Sequence, residues 1–425
     1  EIGVRLVGSE MCIRDSYGIT GNDEIGNSTR FPYREVLNEG GGVYNLGLLP
    51  GVNGYATNNY GYSIYESTFA APNLSWEKEK KTNVGIDMGL FDGRIVLSAD
   101  YFFNKRQDIL INRKIVPQYN GFRVNPYQNF GITHNKGVDA NITLKQQLGD
   151  LTLSARGNFT YAKNEIVEYD ETMQELRYQM VTGQSINVPF LFVDDGLYTP
   201  DDFNITTNND GSHSYALKKG IPAYTQNVMP GDIKYKDLNG DGTITALDKT
   251  WYSGLYAEDP QIVYGFGLNA EYKGFFAGVF FQGNAHSSVN ISSNSGGFIP
   301  FYNGRDLSSA RVEARSHWRA DDPYNQNVIY PRLRTENNFE NNQLPSTWWY
   351  RSGDYLRLKN VEFGYQFDKR LTQRIKVQNL RIYVQGTNLA VWDDIKMWDP
   401  ELGSANSGAT YPLNRTWTIG AEITF

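Results

Sequence analysis

Apolar and polar residues alternate along much of this chain. Val84, Ile86, Met88 and Leu90 fall at every second position. After "FDG" (Phe91 to Gly93) the same spacing resumes with Ile95, Leu97, Ala99, Tyr101 and Phe103. A period of two puts each set on one face of a strand. The Gly-containing break reads as a tight turn, so the pair is a predicted hairpin. A second hairpin follows: Val138, Ala140, Ile142 and Leu144, a turn at "LGD", then Leu151, Leu153, Ala155, Gly157, Phe159 and Tyr161. A third has Tyr264, Phe266, Leu268, Ala270 and Tyr272, a turn at Lys273 and Gly274, then Phe275, Ala277, Val279 and Phe281. Further strands are predicted at Tyr355–Phe367, Leu380–Trp392 and Thr416–Phe425.

Two features turn many strands into a membrane barrel. The turns are very short, whereas the segments 104–135, 164–260 and 285–353 are long and polar. Short turns at one end and long loops at the other are the outer-membrane pattern. The opposite strand faces carry Asn83, Asp87, Ser98, Asp100, Asp139, Asn141, Thr152, Ser154 and Arg156. Such residues do not fill a dry core without many partners, but they suit a watery lumen. The expected fold is therefore all-β: a transmembrane antiparallel β-barrel of roughly ten to twelve strands, with short periplasmic turns and long extracellular loops. A soluble β-sandwich or a propeller also alternates. No repeat of propeller length is visible.

Composition narrows the classes. Gly (42) and Tyr (29) are abundant, which suits strands and turns better than helices. A net charge of −7 offers no broad basic face for nucleic acid. The single cysteine, Cys12, excludes an internal disulfide and a thiolate metal cage. No apolar run reaches the length of a membrane helix, and low mean hydropathy does not argue against a barrel.

Residues 1–16 break the pattern. "GSEMCIRDS" looks like translated adapter sequence, so 1–16 is set aside as an expected sequencing scar and 17–425 is taken as the domain. The chain shows neither an initiator Met nor a signal peptide, and it reads as a fragment.

Several stretches together resemble a family, the SusC/RagA-type TonB-dependent outer-membrane transporters. They are "YGITGNDEIG" (Tyr17 to Gly26), "APNLSWEKEKKTNVGIDMGLFDGRIVLSADYFFNKRQDIL" (Ala71 to Leu110), "PGDIKYKDLNGDGTIT" (Pro230 to Thr245), "SGDYLRLKNVEFGYQF" (Ser352 to Phe367) and "QGTNLAVWDDIKMWDPE" (Gln385 to Glu401). The terminal Phe425 fits barrels inserted by the outer-membrane assembly machinery. The resemblance implies the C-terminal part of the barrel, without the plug domain. It implies uptake of oligosaccharides or other large nutrients, in company with a SusD-like surface lipoprotein and the TonB complex. It leaves glycan and peptide substrates both open. It implies outer-membrane lipid as a partner and no enzymatic step; that nucleic acid is not a partner is expected from the charge alone.

"DLNGDGTITALD" (Asp237 to Asp248) is the one candidate metal loop. Asp237, Asn239 and Asp241 occupy alternate positions, Gly242 allows the sharp turn, Thr243 offers its carbonyl and Asp248 closes the loop. Calcium is the expected ion. The competing reading is an Asx-rich turn closed by its own hydrogen bonds. No flanking helices are predicted, so the loop is expected to brace and not to sense.

Loop aromatics Tyr198, Tyr224, Trp251, Tyr252, Tyr256, Trp348, Trp349 and Tyr350 hint at glycan only as a group; any one alone reads better as loop core. The pairs Asp194–Asp195, Asp201–Asp202, Asp321–Asp322 and Asp393–Asp394 sit in turn-like contexts and make poor glycosidase dyads. The histidines are scattered without metal spacing. "NEGGGVYN" (Asn38 to Asn45) reads as a flexible loop. The rival to the transporter is a secreted, soluble glycan-binding β protein with a dockerin-like calcium loop.

Overall fold

The computed structural model describes residues 2–6, 9–23, 31, 33–45, 60–71, 73–116, 119, 124–292, 300, 312–333, 341–372, 376–404 and 410–424. Its centre is one antiparallel sheet of eleven strands, hydrogen-bonded strictly in chain order. We number them β1 (Ile2–Leu6), β2 (Ser9–Asn22), β3 (Glu77–Leu90), β4 (Ile95–Asn112), β5 (Tyr127–Leu148), β6 (Leu151–Glu168), β7 (Ile262–Tyr272), β8 (Phe275–Ala285), β9 (Tyr355–Gln366), β10 (Asn379–Asp393) and β11 (Thr416–Thr424). An up-and-down meander of this kind is the wall of a barrel. Among the described residues β1 and β11 do not pair with each other, so the sheet is an open arc. No helix among those residues is long and apolar enough to cross a membrane, which says nothing of strands.

The turns obey the sequence. β5 and β6 are joined by Gly149 and Asp150 alone, β7 and β8 by Lys273 and Gly274. Lys273 and Gly274 both have positive φ, 47° and 87°, as a two-residue hairpin requires. The β3–β4 turn uses Phe91, Asp92 and Gly93, again all at positive φ. The connections after β4, β6, β8 and β10 lie at the other end, while 367–378, between β9 and β10, is at the end of the tight turns.

The two sheet faces differ as the alternation demands. On one, Val84, Tyr101, Phe159, Phe266, Leu268, Phe363, Ile382 and Ile419 stay open to the surroundings, Leu268 at 59% exposure. Near the tight turns this face ends in Tyr272, Phe275, Phe363 and Tyr365; the ring centre of Phe275 lies 4.7 Å from that of Tyr365 and 6.3 Å from that of Phe363. On the other face polar groups meet. Arg14 bonds Asp87 at 2.6 Å and Asp100 at 3.1 Å, the Ser98 hydroxyl donates to Asp87, and Thr160 donates to Asp139. Arg381 pairs with Glu362 and lies over the ring of Phe276 at 4.2 Å.

Residues 9–16, expected to be a scar, form part of β2, and Glu10 to Ser16 pair in register with β3. Asn38–Asn45, expected to be a flexible loop, lies within the strand Val36–Asn45, paired with Tyr60–Thr68. The β-prone partner "YGYSIYEST" supplies the ladder that the glycines alone would not. Phe425 lies outside the described residues.

Candidate functional site

Among the described residues the buried apolar clusters lie in the loops and not in the sheet. The segments between β6 and β7 and between β8 and β9 fold on each other. Phe192, Leu197, Ile233, Tyr235, Ile244, Ile291, Trp318, Tyr330, Leu344, Trp348 and Trp349 form one apolar cluster. Short strand pairs frame it: Leu191–Phe192 with Lys249–Thr250, Asp194–Leu197 with Ile233–Tyr235, and Ser288–Asn290 with Tyr350–Ser352. A second cluster holds Tyr198, Phe203, Ala223 and Val228.

A buried polar knot ties the two long loops together. Asp232 is fully buried. It accepts from the Arg332 guanidinium at 3.1 Å, the Asn342 amide at 2.9 Å and the Met229 backbone N–H at 2.8 Å. Burial pushes its carboxyl up to about 6 against the opposing pull of Arg332. Asn341 donates to the Ile233 carbonyl, and the Asn342 side chain accepts from the Ile233 N–H. A third connection, the loop after β10, is held by Arg357. Its guanidinium is buried and reaches Asp399 and, at 2.8 Å, Glu401.

The predicted calcium residues are together on one turn inside this loop body. Asp237 accepts from the amides of Gly240 (2.7 Å) and Gly242 (2.8 Å). Asn239 accepts from the Asp241 N–H and donates to its carboxylate. Asp241 accepts from the N–H and the hydroxyl of Thr243, both at 2.8 Å. These bonds hold the Asp241 carboxyl below its usual range, the Thr243 amide most of all. Asp248 is fully buried and accepts from the amides of Leu238 and Thr245. Ile244, within the turn, is a member of the apolar cluster. The loop is thus wired into the core. Its oxygen donors are the hard type calcium prefers. Among the described residues no three His, Cys, Asp or Glu side chains converge as a metal cluster.

Most of the loop aromatics are structural. Tyr198, Trp348 and Trp349 are buried, Trp251 stacks on Phe190 at 4.7 Å and Tyr256 on His286 at 4.5 Å. Tyr252 and Tyr256 keep substantial exposure. The acidic pairs are occupied locally: Asp202 with Lys234, Asp201 with the Tyr324 hydroxyl, Asp321 with Arg319, and Asp393 with the Lys396 amide. The alternation did not reveal the rings on the polar face. Phe102, Phe276, Phe280 and Tyr383 lie there, each close over a glycine of a neighbouring strand. A Cβ at Gly364 would stand 2.3 Å from Phe276 Cζ. The signal was present in the sequence as aromatic and glycine at matching polar-face positions.

An open face of large apolar residues, a polar face behind it and a folded loop body at one end define the wall of a membrane-spanning barrel. Known proteins agree. The chain is 28% identical over 438 residues to the TonB-dependent receptor P3 of Formosa agariphila, covering 97% of this chain and 39% of that protein. It is 24% identical to the TonB-dependent receptor SusC of Bacteroides thetaiotaomicron, covering 98% of this chain and 38% of SusC. Its fold matches the RagAB peptide importer in the open-open state with a TM-score of 0.66 at 22% identity, over 98% of this chain and 40% of that one. No protein-family model matches. The SusC/RagA-type resemblance carried by the motifs is supported in sequence and in fold. The chain spans about two fifths of the length of the curated relatives it matches.

Proposed function

We propose that this chain is wall and loop cap of an outer-membrane importer that takes up oligosaccharides under TonB control, with a SusD-like lipoprotein over the loops. One observation carries the location: the large apolar residues of the sheet face outward, uncovered, while the cores are packed in the loops. In a soluble sandwich the arrangement is reversed, with apolar strand faces packed on each other. That counts against the secreted glycan-binding alternative. The relatives' names, TonB-dependent receptor among them, support uptake as the activity.

Deleting the gene tests this. Cells should lose growth on one class of oligosaccharide and keep growth on the free monosaccharide. Growth lost on peptides alone would make the cargo peptide. Release of the protein from membranes by salt or carbonate, without detergent, would sink the barrel reading.

The calcium loop belongs to the same proposal. Asp237, Asn239, Asp241 and Asp248, with the Thr243 carbonyl, would hold one calcium ion and brace the loop body. Calcium at saturating concentration should raise the thermal midpoint of the loop core, and Asp241→Ala should abolish the rise. An unchanged midpoint leaves the turn closed by its own hydrogen bonds.

A further inference from the structure

The polar face carries a cleft at the loop end of the sheet, with a volume of about 360 Å³. It exists because three strands outrun their neighbour. β7 begins at Ile262, opposite Tyr161, while β6 continues to Glu168. In this extension three asparagines stand in one row: Asn104 on β4 faces Asn135 on β5, and Asn135 faces Asn164 on β6. The next row holds Thr133, Arg106 and Glu79 in the same way. Neighbouring strands lie about 4.8 Å apart, so one small ring can reach side chains on two of them. The segments at Ile186 and Pro260 roof the cleft.

Asn164 is committed to that roof. Its side-chain oxygen accepts from the Ile186 N–H at 2.7 Å, and its carbonyl accepts from the Ser185 hydroxyl. Asn104 and Asn135 differ. Both are half-buried and line the cleft, and neither side-chain amide bonds to another described residue. Each amide offers two donors and an acceptor. With no partner among the described residues, both amides are available to a ligand that enters the cleft.

We infer that this cleft binds one sugar residue of a neutral oligosaccharide through Asn104 and Asn135, with Arg106 and Thr133 beside them; the inference rests on the uptake reading above. Sugar hydroxyls are donor and acceptor at once, and planar amides match them in both roles. Arg106 lies 3.9 Å from Glu77, Glu79 is paired with Lys81, and Asp259 adds a further carboxylate to the lining, so the cleft does not select an anion. Ala162, Ile186, Ala257 and Pro260 give it an apolar side for the C–H face of the ring. A peptide bound by strand addition would need free main-chain groups on a strand edge. Along the overhanging part of β6 those groups are used: Ala162 N–H donates to Gln261, Ile166 N–H to Gln184, and Gly183 N–H to Ile166.

The test uses the protein purified in detergent from its own membrane. It is offered a mixture of neutral oligosaccharides of two to eight sugars (about the span of a loop-end cleft and its approaches) and, separately, a tryptic digest of casein. Bound molecules are counted by mass spectrometry. Capture of oligosaccharide should fall at least about tenfold with Asn104→Ala plus Asn135→Ala, a loss of about 1.4 kcal/mol. Asn141→Ala, another polar-face amide outside the cleft, should leave capture unchanged. Thermal midpoints of both variants check folding, and Asn135→Gln supplies a milder change at the same place. Oligosaccharide capture that survives the double variant overturns the site and leaves the importer standing. Capture of casein peptides, lost in the double variant, overturns the sugar assignment. Capture of neither mixture by the unaltered protein overturns the importer and the site together.

Discussion

Asp232 shows how a single residue can report on the loop body. It is a carboxylate without solvent contact, held by Arg332, Asn342 and the Met229 amide. Its folded value, about 6, lies above the ordinary 3.8, so the folded state binds the proton more tightly. The stabilisation from that proton is present at about pH 4 and is lost as pH rises through 6. Tryptophan fluorescence of Trp318, Trp348 and Trp349 can follow melting of the cluster. Relative to Asp232→Asn, the native protein should lose thermal stability between pH 4 and 6 and run parallel above that. A gain with rising pH would mean that the Arg332 pair, not burial, governs the group. Replacing Arg332 by Ala strands the buried charge and should cost about 3–5 kcal/mol at pH 7, read in a urea melt. None of this was visible in the chain. Asp232 and Arg332 are far apart in sequence, and nothing in "PGDIKYKDLNGDGTIT" points beyond its own turn. That turn was legible because its chemistry is local, all within Asp237 to Asp248.

At the scale of the element, the hairpin of β7 and β8 carries the membrane argument. Leu268 sits mid-strand opposite Val279 and Ala155, on the outward face. On a water-exposed surface Leu268→Arg would be nearly neutral. Facing lipid, a charge near the midplane costs about 2–4 kcal/mol. Folding titrations in lipid vesicles should show that loss, while Asn269→Arg, one residue along on the polar face, should show little. Equal effects at the two positions would mean that both faces meet water. Strands and tight turns were readable in the sequence because lipid on one side and water on the other force a period of two, and two-residue turns fix register. Gly149–Asp150 alone places Asn135 opposite Asn164. The partner Asn104 was not readable, because the connection from 113 to 126 and the irregular pairing near Ile109 hide the β4–β5 register. The loop core was equally hidden. Phe192, Ile233, Trp318 and Trp349 follow no period, and their meeting depends on which loops fold together.

At the scale of the whole molecule, the sheet has two free edges. β1 and β11 each pair on one side only among the described residues. In hydrocarbon an unpaired backbone N–H or C=O costs several kcal/mol, so a barrel wall must close. β11 presents nine residues, Thr416–Thr424, along one such edge. The 425 residues expressed alone in detergent should therefore associate edge to edge, and sedimentation should give dimers or larger species that resist dilution. The apolar face also predicts how they associate. It binds detergent as a belt, so contacts run through backbone edges and not through Leu268 or Phe363. Proline placed at Ile419, within the ladder that joins β10 to β11, should weaken β11 itself as well as the contact. Proline at Trp417 or Glu422 tests the same edge at other heights, and at least one of these should shift the chain toward monomer without changing the fluorescence of the loop core. A chain that sediments as a single monomer from the outset would show that both edges are already covered, and the open arc would then be replaced by a small closed barrel.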